Sequence, residues 1–226
     1  MHEPANEQSR ESEQFWLKRS IEIIEELSGN RPVGSRSPYG GFSHNSTELL
    51  ANEGILYDST LLNGTHPFVI RQGDSQLIEL PIDLINDDWP HFAFVPEFSY
   101  MATIKPPAQA LEIYKAEFEG SYDLGAFYTT IWHPHLIGRP GRLTVVTDLI
   151  EHVVSKEDVW IAPMNKIAGH VKQCIEDGSV EPRIVEVPFH ATGRIPELQR
   201  GYVPDKFALR ASGSGWISGA EAEDEN

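Results

Sequence analysis

Short apolar runs that each end in a cluster of polar residues recur along this chain. Ile55-Leu56-Tyr57 runs into Asp58-Ser59-Thr60, and Leu77-Ile78-Glu79-Leu80-Pro81 precedes Asn86-Asp87-Asp88-Trp89-Pro90. Ala126-Phe127-Tyr128 continues through Trp132 into His133-Pro134-His135, with Gly138 closing the turn. Their β-branched and aromatic content is that of buried strands, and helical patterns separate them. Strand and helix in alternation predict a parallel α/β architecture. In α/β barrels the C-terminal tips of strands carry the working groups, which makes the His133 tip a candidate for chemistry.

The helices read from periodicity and caps. Ser9 caps a helix to about Leu27, where Trp16, Ile23 and Leu27 share a face with Leu17, Ile21 and Ile24. Gly29 stops it, while Glu11, Glu13, Lys18 and Arg19 read as its solvated surface. After a turn-rich stretch from Arg31 to Phe42, Ser43 or Asn45 opens a helix with Leu49 and Leu50 that ends at Gly54. Pro106-Pro107 opens another to about Glu119, with Leu111, Tyr114 and Phe118 inward. A further helix begins at Pro140 and buries Val146, Leu149, Ile150 and Val153. Val159-Trp160-Ile161 reads as a short strand and Pro163 opens a helix to about Ile175. From Gly178 the prolines at 182, 188, 196 and 204 replace periodicity. The chain therefore divides into 1–177 and an extended arm, 178–226, with a disordered acidic tail.

Composition removes several functions. A net charge of −16 leaves no positive surplus for nucleic acid. No apolar run reaches the roughly 18 residues a membrane span needs. The polar start, Met1 to Glu13, has no signal-peptide pattern, so a cytoplasmic location is expected. Cys174 is the one cysteine, which excludes an intrachain disulfide and a cysteine-based zinc site.

Three polar clusters would then share one rim: Arg36-Ser37-Pro38-Tyr39, Asp87-Asp88-Trp89 and His133-Pro134. A carboxylate that orients an imidazole, with an arginine holding a second carboxylate ionised, makes an acid/base site. Each member also has a plain structural reading: turn acids, a surface ion-pair arginine, packing aromatics, a capped histidine.

The stretches from Glu11 to Trp160 resemble the polysaccharide deacetylase family with the NodB-homology barrel, in its allantoinase-like and peptidoglycan-deacetylase-like branch. They are Gly29-Asn30-Arg31-Pro32-Val33-Gly34 with Arg36-Ser37-Pro38, then Leu49 to Ser59, then Ile78-Glu79-Leu80-Pro81 with Asp87-Asp88-Trp89, and His133-Pro134 with Gly138-Arg139-Pro140. The resemblance implies a metal-dependent hydrolase of a non-peptide C–N bond. Its substrate would be an N-acetylated amino sugar or a small cyclic ureide or imide. In such enzymes an aspartate and two histidines hold a divalent metal that polarises the carbonyl. By resemblance His133 is the general acid for the leaving amine, and Asp87 or Asp88 orients it. Asp88 is preferred because it abuts Trp89. Arg36 resembles the arginine that pairs with the catalytic base, and Pro38, Tyr39 and Trp89 resemble substrate-wall residues. Arg139 is expected to anchor its helix or its loop.

The family's opening Asp-Asp strand is absent from the chain. Met1-His2-Glu3-Pro4 resembles the tail of its histidine motif, which makes His2 a metal ligand whose partners lie upstream. The expected fold is accordingly the C-terminal portion of a distorted (β/α) barrel with its first strands missing. Zinc is expected in a complete version and no tightly held metal in this chain alone, because catalytic sites use three protein ligands. His44, His66 and His91 are scattered among loops without ligand spacing. An open sheet edge would favour pairing with a second copy or with a separate N-terminal piece. The alternative reading is a catalytically incomplete fragment that acts as a binding or interaction module.

Overall fold

A computed structural model describes residues 3–62, 64–94 and 103–187. His2 and the arm from 188 onward lie outside the described residues. The chain forms two compact units. The first takes residues from 1–83, 120–129 and the segment after 158, and the second takes 84–119 and 130–157.

The first unit opens with α1 (Arg10–Ser28). Ser9 caps it as the sequence predicts, its side chain accepting the Ser12 N–H, and Gly29 closes it at φ 70. Only glycine adopts that left-handed position at little cost. The apolar stripe is narrower than its periodicity predicts. Ile21 is buried with Leu17 against it, whereas Ile23, Ile24 and Leu27 are exposed, Leu27 at 82%. Glu13 reverses its expected solvated place. It is buried, and its two oxygens accept the Ser43 and Ser46 hydroxyls, each at 2.6 Å. Ser43 Oγ in turn accepts the Asn45 and Ser46 amides, so Glu13 fixes the start of α2 (Ser46–Asn52). Leu49 and Leu50 of α2 are buried, and Gly54 ends the turn at φ 76.

Five strands form one sheet in the order β1 (Gly34–Ser35), β2 (Tyr57–Asp58), β4 (Ser75–Glu79), β3 (Phe68–Gln72), β5 (Ile184–Glu186). The pairs β1–β2, β2–β4 and β3–β5 are parallel, and β3–β4 is antiparallel. The all-parallel expectation is therefore corrected to a mixed sheet. A two-residue loop, Gly73-Asp74, with Gly73 at φ 55, folds β3 back onto β4. Successive side chains of β4 leave opposite faces. Leu77 packs with Ile21, Leu50 and Ile55 under α1 and α2, while Ile78 and Leu80 pack with Ala168 of α7 (Met164–Glu176). Each such buried aliphatic contributes about 2 kcal/mol of stabilisation.

Two more strand expectations are corrected. Val159-Trp160-Ile161 is not a strand; Trp160 is 57% and Ile161 62% exposed. The segment lies between Asp158 at φ 58 and the proline before α7, so it has no extended neighbour to pair with among the described residues. Within the expected arm, Ile184–Glu186 pairs with Val69–Arg71 as β5.

The second unit is helical: α3 (Trp89–Phe92), most of α4 (Pro107–Asp123), α5 (Pro134–Ile137) and α6 (Pro140–Val154). Its core is Phe92, Ala110, Tyr114, Ile137, Val145 and Leu149, with Leu111, Trp132, Val146 and Val153 against it. Ile150 is exposed, and Val145 takes the inward place expected of it. The run from Ala126 is half-buried and pairs as a strand only at Ile131, which bridges Asp87. The partner segment turns helical on both sides of Asp87, at 84–86 and at Trp89, so the ladder cannot extend.

No helix of the described residues is long and apolar enough to cross a membrane. Replacing Glu13 by Ala is expected to cost about 2 kcal/mol by removing two charge-assisted hydrogen bonds. Denaturant titration should show a lower midpoint with an unchanged slope.

Candidate active site

In the second unit, Ile131 accepts the Asp88 N–H at 3.1 Å and donates to Asn86 O at 3.1 Å. This single bridge sets the Asp87-Asp88 turn beside the residue two places before His133. Asp87 Oδ1 accepts the Trp89 N–H at 2.7 Å, the local turn that aspartates favour. Asp88 is fully buried and meets His133 twice. Its Oδ2 accepts the His133 backbone N–H at 2.9 Å, and its Oδ1 lies 2.5 Å from His133 Nδ1. The first bond fixes the backbone and the second fixes the ring and its tautomer, with the proton on Nδ1. Asp87 Oδ1 stands 3.5 Å from the same nitrogen.

The imidazole side chain is 33% exposed, and Nε2 is the ring nitrogen that the clamp leaves for other partners. Trp89 packs edge-on to His133 at 5.2 Å between centroids and to His135 at 6.1 Å. Pro134 begins the single turn of α5, and Gly138 closes it by donating to Pro134 O. A side chain at Gly138 would collide with that carbonyl. Arg139 Nε donates to His135 O at 3.3 Å and Arg142 to Leu136 O at 3.0 Å. Arg139 thus anchors the loop.

His91 is not a loop histidine. It sits in α3, is 1% exposed and has both nitrogens engaged. Nε2 donates to Ile85 O at 2.7 Å, and Nδ1 accepts from Lys105 Nζ at 2.8 Å. Burial, then the Lys105 charge, pushes its pKa down, so it stays neutral.

The Arg36 cluster belongs to the first unit. Arg36 Nε donates to Ser59 O and Nη2 to Ser59 Oγ, both at 2.7 Å, and the Ser37 N–H donates to Thr60 Oγ1 at 2.9 Å. Pro38 and Tyr39 form a 3-10 turn in which Tyr39, 59% exposed, sits at φ 55. A non-glycine residue there is strained, a feature that concentrates at functional sites. The sequence passed over two buried acids of this unit, Asp58 and Glu79. Their place beside the polar strand tips was the available signal.

Among the described residues, the one group of His, Cys, Asp and Glu side chains with ligand atoms within 4.8 Å of one another is Asp87, Asp88 and His133. These donors fit a metal poorly. His133 Nδ1, both Asp88 oxygens and Asp87 Oδ1 already serve the hydrogen bonds above. The cluster is built as an imidazole–carboxylate dyad.

No family model matches the chain. It is 28% identical over 194 residues to a peptidoglycan deacetylase of Helicobacter pylori, covering 74% of this chain and 66% of that protein. A solved structure from Mycobacterium smegmatis assigned to the polysaccharide deacetylases superposes with a TM-score of 0.73 at 39% identity. That match covers 80% of this chain and 62% of the other. The PuuE allantoinase superposes at 0.64 with 24% identity, covering 76% and 56%, which shows a shared fold. The α/β fold with its mixed sheet is that of a partial NodB-type barrel. The chain is thus similar to polysaccharide deacetylases, and it spans less than two thirds of the length of these proteins.

The clamp makes a direct prediction. The His133 Nδ1 proton should give a slowly exchanging, downfield resonance that Asp88→Ala abolishes and Asp87→Ala retains. Asp88→Ala should also cost about 2 kcal/mol of stability.

Proposed function

We propose that the chain hydrolyses a non-peptide C–N bond, in an N-acetylated amino sugar or a small cyclic ureide or imide. The observation that supports this reading is the Asp88–His133 dyad, whose Nδ1 is clamped and whose Nε2 is left for chemistry. The peptidoglycan and polysaccharide deacetylases among its relatives support the amide class.

His133 acts as the general acid. In its imidazolium form Nδ1–H donates to Asp88 while Nε2–H donates to the departing nitrogen. Water adds to the carbonyl carbon and gives a proton to the general base. As the C–N bond of that adduct breaks, its electron pair passes to nitrogen, which takes the Nε2 proton, and the carbonyl re-forms as a carboxylic acid. Asp88 stabilises the imidazolium before transfer and holds the ring afterwards, and Asp87 adds a second negative charge near Nδ1. Trp89 limits the ring's rotation from one side. By the same resemblance Arg36 would pair with a catalytic base, and Pro38 and Tyr39 would form substrate wall, within the first unit.

A divalent metal, when bound, supplies polarisation of the amide carbonyl. The Asp87–Asp88–His133 group does not fit that ion, so its ligands fall to other groups, with His2 as the candidate from this chain. A second reading, a binding module without turnover, is favoured by the same engaged donors.

The test is acetate release from chitooligosaccharides and muropeptides, and ring opening of allantoin, by purified chain supplied with zinc. Activity should appear on one of these. His133→Ala should lower turnover by about 10²- to 10⁴-fold with metal content unchanged. Loss of metal in that variant would make His133 a ligand and overturn the assignment. No turnover with full metal loading would select the binding module.

A further inference from the structure

Asp58 and Glu79 end two adjacent parallel strands and are register partners, so their side chains leave the same face of the sheet. They are 1% and 0% exposed. Asp58 Oδ1 accepts the Thr60 N–H at 3.0 Å, and Glu79 Oε1 accepts the Leu61 N–H at 2.8 Å. The other two oxygens, Asp58 Oδ2 and Glu79 Oε2, are buried without a hydrogen-bond partner. Two ionised carboxylates placed together in a dry interior repel each other. A single proton relieves the repulsion and satisfies both orphan oxygens, because a protonated carboxyl donates to its neighbour.

The segment these acids hold is the one that holds Arg36. Ser59 accepts both Arg36 bonds, Thr60 accepts the Ser37 amide, and the Ser59 hydroxyl donates to Leu80 O at 2.7 Å, next to Glu79. We propose that Asp58 and Glu79 share one proton and, through Ser59-Thr60-Leu61, act as the positioning pair for Arg36. The catalytic weight of this pair rests on the hydrolase reading above; the shared proton does not.

Burial, then the charge of Asp58, pushes the Glu79 carboxyl up to about 9, and burial raises Asp58 to about 6. Both carboxyls are raised, so the pair holds a proton at neutral pH. Of the other ionisable groups around the sheet, Tyr57 is raised by burial and senses Arg36 and Asp58. On the packed elements, Glu13 is engaged by Ser43 and Ser46, Glu48 by Arg10, and Arg71 by Glu186. The sign follows from linkage. Glu79 is raised in the fold above its ordinary value of 4.5, so its contribution is complete below that value and is lost as pH rises toward about 9.

The test uses the full chain with Glu79→Gln and Glu79→Leu, read by denaturation midpoint against pH and by the Arg36 Nε–H resonance. The parent should lose stability between about pH 5 and 9. Glu79→Gln should flatten that fall and keep the Arg36 signal, since the amide can donate to Asp58 and accept from Leu61. Glu79→Leu should lose the protected Arg36 signal while circular dichroism stays native. If Glu79→Leu does not fold, the slope of Glu79→Gln still decides. An identical slope in Glu79→Gln and parent would overturn the shared proton. An unchanged Arg36 signal in folded Glu79→Leu would overturn the positioning role. Neither readout needs turnover, so an inactive chain, which counts against the hydrolase reading, leaves this test intact.

Discussion

Buried carboxylates set the arrangement of this molecule. Among the described residues Glu13, Asp58, Glu79, Asp87 and Asp88 are all buried, in a chain whose net charge is already −16. An unpaired carboxylate in a protein interior costs several kcal/mol, more than a buried leucine returns. Each acid must therefore collect donors, and the donors come from loops. Glu13 gathers the entry to α2, Asp58 and Glu79 gather the segment after β2, and Asp88 gathers the approach to α5. The connections between elements are thereby fixed by charge, while the sheet and helices are fixed by apolar packing. The polar strand tips, which look in the sequence like places for chemistry, are first of all places where loops are tied.

Much of the frame was legible because it depends on local rules. Ser9 and Gly29 mark the ends of α1, the prolines mark the starts of α4, α6 and α7, and Gly54 marks the end of α2. What was not legible depends on partners distant in sequence. Val69-Ile70 has strand composition, but β3 is a strand because β4 folds back on it and β5 joins its other edge. Ala126 to Trp132 has strand composition too, yet its neighbour at Asp87 offers one residue for pairing. Glu13 reads as solvent-facing on a helical wheel. Its burial follows from two serines thirty and thirty-three residues away.

The site divides in the same way. The pairing of His133 with the acidic turn was legible because a histidine and a carboxylate pair each follow a strand-like run, and one bridge, Asp87 to Ile131, brings the two runs together. The preference for Asp88 over Asp87 rested on its neighbour Trp89, but geometry supplies a better reason. Asp87 spends Oδ1 on the Trp89 amide, so its carboxylate serves its own turn, whereas Asp88 directs both oxygens at His133. The role of Asp58 and Glu79 was invisible in sequence because it arises from strand register. Two acids twenty-one positions apart face each other only once β2 and β4 pair in parallel at that alignment.

The two acid arrangements solve one electrostatic problem in opposite ways. Asp88 gives one oxygen to a backbone amide and the other to an imidazole, so both of its oxygens have a donor. Asp58 and Glu79 each give one oxygen to a backbone amide and leave the other buried without a hydrogen-bond partner. A proton held between them makes up the difference. The first arrangement leaves Nε2 of His133 outside the clamp. The second locks its proton away from solvent and gives the Arg36 loop a rigid footing. A fold that must bury acids at its strand tips can therefore use the same residue type to orient an imidazole in one unit and to hold a fixed proton in the other, and the difference lies in the donors around each carboxylate.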